Sequence, residues 1–162
     1  MIIGVISDTH GLLRPEAVQK LQDSDLILHG GDIGDPNILK QLADIAPVHA
    51  VRGNNDRDRW ADSIPITLDL RILKHRIHMI HNLHEMKADP KHYSIVVSGH
   101  SHRPVIQKKE GTLFINPGSA GPRRFHLPIA IAKIRLTETS VYARIVELSP
   151  PRTQRSQNSR TS

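Results

Sequence analysis

Five times along this chain a short apolar run gives way at once to Asp, His or Asn. Asp8-Thr9-His10 follows Ile2–Ser7, Gly31-Asp32 follows Leu26–His29, and Gly53-Asn54-Asn55-Asp56 follows Val48–Val51. Farther on, His81 ends the run Arg76–His81, and Gly99-His100-Ser101-His102 follows Ile95–Ser98. Short apolar runs of this kind read as buried strands. In open α/β sheets, ligands bind outside the carboxyl ends of the strands. The pattern therefore favours a fold that gathers these loops on one rim.

The intervening segments support it. Pro15–Leu21 is predicted to be a helix with proline in its first turn, and Pro36–Ala46 a second helix capped by Asp35. With the runs around them they give a β-α-β-α-β order, which argues for a parallel sheet with right-handed crossovers. After Pro65 the pattern changes. Ile66–Leu73 and Arg76–His81 read as strands joined at Lys74-His75, and the stretch Glu85–His92 as a short helix. Ile95–Ser98, Thr112–Asn116, Ile129–Leu136 and Val141–Leu148 read as further strands, with turns at Glu110-Gly111 and Thr137–Ser140. Two mixed sheets packed face to face, with helices outside, accommodate both halves. One domain is expected over residues 1–148, since 162 residues suffice for a single well-filled core. The basic segment 149–162, nearly devoid of apolar residues, is expected to be a disordered tail.

Composition narrows the chemistry. There is no cysteine, which excludes disulfides, zinc ribbons and thiol catalysis and leaves His, Asp and Asn to hold any metal. A cysteine-free chain fits a reducing cytosol. The first residues lack the pattern of a signal peptide, and no apolar run approaches the ~20 residues that span a bilayer, so a soluble cytoplasmic protein with no membrane partner is expected. Of the net charge of +6, three units come from Arg152, Arg155 and Arg160. The mild excess that remains suits phosphate-bearing substrates and falls short of a nucleic-acid footprint.

Together the five loops would converge three Asp, four His and two Asn, more ligand capacity than one ion needs. In Asp8-x-His10 and His100-x-His102 the paired side chains share a face of extended backbone. Gly31, Gly53 and Gly99 stand just before ligand candidates, where tight turns and close approach are needed. An N and O shell without sulfur suits Mn, Fe, Co, Ni or Zn. Any one of these motifs alone is more often a turn or a packed strand end; their recurrence at equivalent positions makes the metal-site reading. His29 is expected to pack or hydrogen-bond locally, His49, His75, His78, His92 and His126 to be surface or structural, and Arg123-Arg124 to be solvated.

In this order the motifs resemble the calcineurin-like metallophosphoesterase superfamily, and most closely its small YfcE-like phosphodiesterase branch, whose Asn-Pro-Gly-Ser hallmark is present as Asn116–Ser119. The resemblance runs from residue 1 to about residue 148. It implies a four-layer α/β/β/α sandwich with two divalent metal ions, manganese first among the candidates. Asp8, His10, Asp32 and His102 would hold one ion and Asp32, Asn54, His81 and His100 the other, with Asp32 bridging. A hydroxide between the ions would then attack phosphorus in line. Asn54 would be a ligand, Asn55 a donor to the phosphoryl group and Asp56 an orienting residue.

Two positions depart from the family. Asn55 stands where many members have a histidine that protonates the leaving group, a contribution worth roughly 10²–10⁴-fold. This favours small phosphodiester or nucleotide-like substrates whose leaving groups need no proton. After His81 the usual Gly-His is replaced by Asn82-Leu83, which alters the loop or narrows the pocket, with His84 near enough to substitute. The competing reading is a catalytically weak scaffold acting through protein contacts, as in the retromer subunit of this fold. Retention of all seven ligand positions argues against it. A stable nucleic-acid complex is not expected, because five aromatic residues give little to stack on. Small relatives often form homodimers, and the resemblance makes a homodimer one expected assembly.

Overall fold

The structure, a computed structural model, describes residues 1–148. The tail expected over 149–162 lies outside the described residues. The first sheet is built from β1 (Ile2–Ile6), β2 (Leu26–His29) and β3 (Val48–Ala50), joined through α1 (Pro15–Leu21) and α2 (Pro36–Ala43). β1 pairs with β2 and β2 with β3, both parallel, as the alternation of strands and helices requires. The sheet is completed on the other side of β1 by an antiparallel hairpin, β9 (Ala130–Leu136) and β10 (Val141–Glu147), giving the order β10-β9-β1-β2-β3.

The second sheet contains β4 (Thr67–Ile72), β5 (His75–Ile80), β6 (Ile95–Val97), β7 (Pro104–Lys109) and β8 (Thr112–Pro117), in the order β4-β5-β6-β8-β7. Its three central strands, β5, β6 and β8, run parallel, while β4 and β7 are antiparallel edges.

Two apolar layers hold the sandwich together. Between the sheets lie Ile3, Val5 and Leu28 against Ile77, Met79, Ile95, Val97 and Ile115. Beneath α1 and α2 lie Ile6, Ile27, Leu21, Ile38 and Leu42. β1 and β2 contribute to both layers, which is why their residues are apolar without alternation. β4 is an edge with one face outside, and it alternates: Leu68, Leu70 and Ile72 point to the core layer while Thr67, Asp69 and Arg71 are exposed. Among the described residues, no helix is long and apolar enough to cross a membrane.

Two elements differ from the sequence expectation. The short helix expected over Glu85–His92 is absent; two 3₁₀ turns, Leu83–Glu85 and Pro90–His92, lie there instead. Asn82 and Asp89 cap these turns, accepting from the backbone N–H of His84 and Lys91. Side chains that offer the backbone local bonds compete with a continuous helix, and Pro90 blocks one from the N-terminal side. The expected sandwich is thus closed on the second sheet's outer side by turns rather than by a helix. The strand β7 was not anticipated. Its proline comes first and it lies at an edge, where a missing N–H is tolerated, while only Val105 and Ile106 give it an apolar signal.

Candidate metal centre

The carboxyl ends of β1, β2, β5 and β6 and the loop after β3 meet on one rim, and every ligand candidate lies on the loops that leave them. Asp8 is at the middle. Its buried Oδ1 is 3.3 Å from His102 Nε2, 3.7 Å from His10 Nε2 and 3.9 Å from His81 Nε2. Asp32 Oδ2 lies 3.2 Å from His81 Nε2 and 3.6 Å from His10 Nε2. Two compact groups result, Asp8/His10/His102 and Asp8/Asp32/His81, each with its potential ligand atoms within 4.8 Å of one another. Asp8 belongs to both groups, while Asp32 reaches one histidine of each. Asn54 and His100 form the outer flank, with Oδ1 3.2 Å from Nδ1, and the His100 ring stands edge-on to His81 at 5.2 Å.

The donor chemistry fits cations. The His81 Nδ1–H donates to the Gly30 carbonyl (2.7 Å), so Nε2 turns its lone pair toward the carboxylate of Asp32. Asp8 Oδ1 and His81 Nε2 are buried and have no hydrogen-bond partner among the described residues, and His102 Nδ1 is a third such atom. His10 and His102 bring two Nε2 atoms to 3.3 Å. Facing lone pairs of this kind are unfavourable unless a proton or a metal ion lies between them, and buried polar atoms without partners are rare. Burial alone would push the Asp8 carboxyl up, yet its contacts with His10, His102 and His81 hold it well below the usual carboxylate range. Burial likewise opposes ionisation of Asp32, and His81 together with the Asn55 N–H outweighs it and lowers the carboxyl. The Asp8 contact raises His10; for His81, burial works against the cation and Asp32 and Asp8 prevail, so that it too is raised.

Around this cluster the loops are tied to one another. Asp8 Oδ2 accepts from Ser7 Oγ (2.6 Å) and from the His100 N–H (3.1 Å). Asn55 donates twice to Asp32, through its backbone N–H to Oδ1 (2.9 Å) and through Nδ2 to Oδ2 (3.1 Å). Asp56 does not face the cluster: its buried carboxylate accepts from the N–H groups of Ile33, Gly34 and Gly53, joining the β2 and β3 loops. Asn116 braces the β6 loop through Gly99 O (2.8 Å) and Ser101 Oγ (3.0 Å), and Ser119 Oγ holds the Asp8 carbonyl (3.0 Å). A Cβ at Gly53 would strike the Asp32 carboxylate and one at Gly99 the Ser7 hydroxyl and Asp8 carboxylate, so these loops approach only because glycine stands there. Ser7 and Ser119 carried no sequence signal of such roles, because a single serine has no spacing to read.

Five of the seven ligand candidates have left-handed backbone: Asp8 (φ 55°), His10 (45°), Asp32 (55°), His100 (70°) and His102 (61°). Non-glycine residues seldom adopt this region, at a cost of about 1–3 kcal/mol each, and such conformations gather at functional sites. The remaining histidines lie outside the cluster, with His78 bound to Asp69 (2.6 Å).

His29 sits fully buried beneath the rim. Its Nδ1 accepts from the Gly31 N–H (3.1 Å), so Nε2 carries the proton and donates to Thr9 Oγ1 (3.1 Å), which in turn donates to the Ile33 carbonyl (2.8 Å). Burial pushes its pKa down from 6.5 to about 4. A histidine with a depressed folded-state pKa contributes stability above its unfolded value, and that contribution disappears as pH falls from 6.5 toward 4. In urea unfolding with chelator present, wild type should lose about 3 kcal/mol across this window relative to His29→Gln. Parallel pH profiles for the two proteins would contradict the assignment.

Two mixed sheets with an Asp/His cluster at their strand ends make an α/β sandwich whose rim could hold metal ions. More specifically, the chain belongs to the calcineurin-like phosphoesterase superfamily, whose domain matches residues 1–139. It is 34% identical over 165 residues to a probable metallophosphoesterase of Methanothermobacter thermautotrophicus, with 93% of this chain and 95% of the relative covered. A phosphodiesterase of Methanocaldococcus jannaschii is 30% identical over 138 residues, covering 73% of this chain and 83% of that one. In fold it is similar to Vps29 of Chaetomium thermophilum, with a TM-score of 0.73, 20% identity, and 93% and 100% of the two chains covered.

Proposed function

We propose that this protein hydrolyses small phosphodiesters at a dinuclear centre, with Asp8, His10, Asp32 and His102 holding one divalent ion and Asp32, Asn54, His81 and His100 the other. The observation that carries this reading is the position of Asp32, whose Oδ2 lies within 3.6 Å of His10 on one side and 3.2 Å of His81 on the other. A carboxylate so placed can be shared between two neighbouring ions. Bound there, divalent ions lower the pKa of water and neutralise charge building on phosphoryl oxygens. Manganese is the first choice for a shell of imidazole, carboxylate and amide oxygen.

The chain's own residues do the rest. Asn55 orients the Asp32 carboxylate by two hydrogen bonds. Its amide has no titratable proton to transfer, so the favoured departing oxygen is one that leaves as a stable anion. The two carboxylates repel a free phosphate until cations are in place, which ties substrate binding to metal loading. The cysteine-free composition fits a cytoplasmic enzyme. The fold shared with Vps29 keeps a scaffolding role as the competing reading; retention of the seven ligand-type side chains favours the enzyme.

Leaving-group dependence tests the proposal. With manganese, aryl phosphodiesters should be hydrolysed at least ~10²-fold faster than alkyl phosphodiesters, and Asn55→His should narrow that gap. Absence of turnover on every phosphoester tried, with manganese bound, would sink the enzymatic reading. A wild-type rate independent of the leaving group would show that another residue supplies the proton.

A further inference from the structure

The outer face of the second sheet carries a groove that begins at the metal cluster and runs away from it. A cavity of about 570 Å³ lies there, a size suited to a small organic ligand. Its inner end is made by His100, Gly99 and Asn116, which belong to or brace the ligand loop. From there the groove follows β7. Val105, Gln107 and Lys109 alternate onto this face, paired across the ladder with Asn116, Phe114 and Thr112. Four rises of extended strand carry it about 13 Å from Val105 to Lys109.

The walls are chemically distinct along this length. Near the cluster and midway, Val105 and Phe114 form an apolar floor on the sheet. Leu83, on the 3₁₀ turn after β5, faces the same cavity and is 39% exposed. Asn82 and Gln107 offer hydrogen bonds along the rim, and Lys109 stands at the far end. Among the described residues no acidic side chain lines this cavity; beyond Lys109 an adjoining smaller cavity holds Asp89 and Glu110, and Glu110 is engaged by Lys91 (3.8 Å). Apolar walls fit a flat ring, amide edges fit the polar rim of a base, and an ammonium with no ion-pair partner among the described residues fits an anion.

We propose that this groove binds the ester group that stays on phosphorus while the other group leaves, and that this retained group is a nucleoside carrying a second phosphate, with its base against Leu83 and Phe114 and its distal phosphate on Lys109. The inference rests on the phosphodiesterase reading for the position of the reacting phosphorus and adds the class of substrate.

The test is calorimetric titration of the full chain with adenosine 3′,5′-bisphosphate, adenosine 5′-monophosphate and inorganic phosphate, with manganese present. The bisphosphate should bind at least ~10-fold more tightly than inorganic phosphate. Lys109→Ala should weaken the bisphosphate about 10-fold and the monophosphate far less. Leu83→Ser, at an exposed position that does not threaten folding and with no change of charge, should weaken both nucleotides about 10-fold and leave phosphate alone. Lys108→Ala removes the same charge from the opposite face of the strand and should change nothing. If the bisphosphate binds no better than phosphate, or the two lysine variants behave alike, the subsite is refuted. Selective binding without hydrolysis of any phosphodiester would uphold the subsite and overturn the hydrolytic reading. Hydrolysis with equal kcat/KM for nucleotidyl and methyl esters would overturn the subsite alone.

Discussion

Asp32→Ala is expected to lower kcat/KM for an aryl phosphodiester by more than about 10³-fold while leaving the protein folded. Asp32 is 3% exposed, and its Oδ2 is the only carboxylate oxygen among the described residues that lies within 4 Å of His10 and His81 without also lying near His102. Removing it takes one ligand from each proposed ion. The apolar layers that hold the sandwich do not include this residue, so the fold should survive. Thermal unfolding separates the two consequences. Manganese at about 100 times its dissociation constant should stabilise wild type by about 2.7 kcal/mol, raising Tm by roughly 5–10 °C for a domain of this size. In Asp32→Ala the unliganded Tm should stay within a few degrees of wild type and the manganese shift should vanish. An unchanged rate together with an unchanged shift would remove Asp32 from the centre altogether.

Asp56→Ala should have the opposite signature. The carboxylate of Asp56 is 3% exposed and receives three backbone N–H groups, from Ile33, Gly34 and Gly53, at 2.9–3.1 Å. Alanine leaves all three donors in a region with little water, and each buried unsatisfied group costs about 1–3 kcal/mol. A loss of about 3–5 kcal/mol is expected, lowering Tm by about 10 °C or more. Asp56→Asn should recover little, because an amide oxygen has fewer lone pairs than a carboxylate and its NH₂ would meet further donors. Metal affinity should fall as well, since the loops that Asp56 joins carry Asp32 and Asn54. If Asp56→Ala unfolds at the wild-type temperature and is merely inactive, Asp56 acts in the chemistry instead.

These two aspartates show where sequence reading reaches and where it stops. Both follow a predicted strand, both follow a glycine within three residues, and both were candidates for the site. Spacing alone does not reveal that Asp32 turns toward the histidines while Asp56 turns back into the loops. That outcome depends on which backbone N–H groups lie nearby, and two of the three that Asp56 meets come from Ile33 and Gly34, 23 and 22 residues away. The same limit applies to Asn55, which the sequence reading made a donor to the phosphoryl group and whose amide donates to the Asp32 carboxylate in the structure.

Failures elsewhere have similar causes. Edge strand β7 has too few apolar residues to announce itself, because only one of its faces meets the core. The segment Leu83–His92 has helix-length spacing, but Asn82, Asp89 and Pro90 divert its backbone into 3₁₀ turns. Consequently Leu83 is displayed on a turn, where it walls a groove that no local pattern foretold.

By itself the sequence determined the parallel β-α-β-α-β start, the two buried strands that feed both apolar layers, and the set of Asp, His and Asn side chains that gather on the rim. Those features are local: apolar runs, helix-initiating prolines and ligand-type residues at strand ends act over a few residues and can be read one segment at a time. Tertiary structure alone decided that Asp8 Oδ1 stands at the centre of the cluster, that Asp32 lies between His10 and His81, and that five of the ligand candidates are held with positive φ. The physical reason is that these properties belong to pairs of loops brought together by sheet packing. Their distances follow from the two sheets meeting at a common rim and from glycines at 53 and 99 that let the loops close.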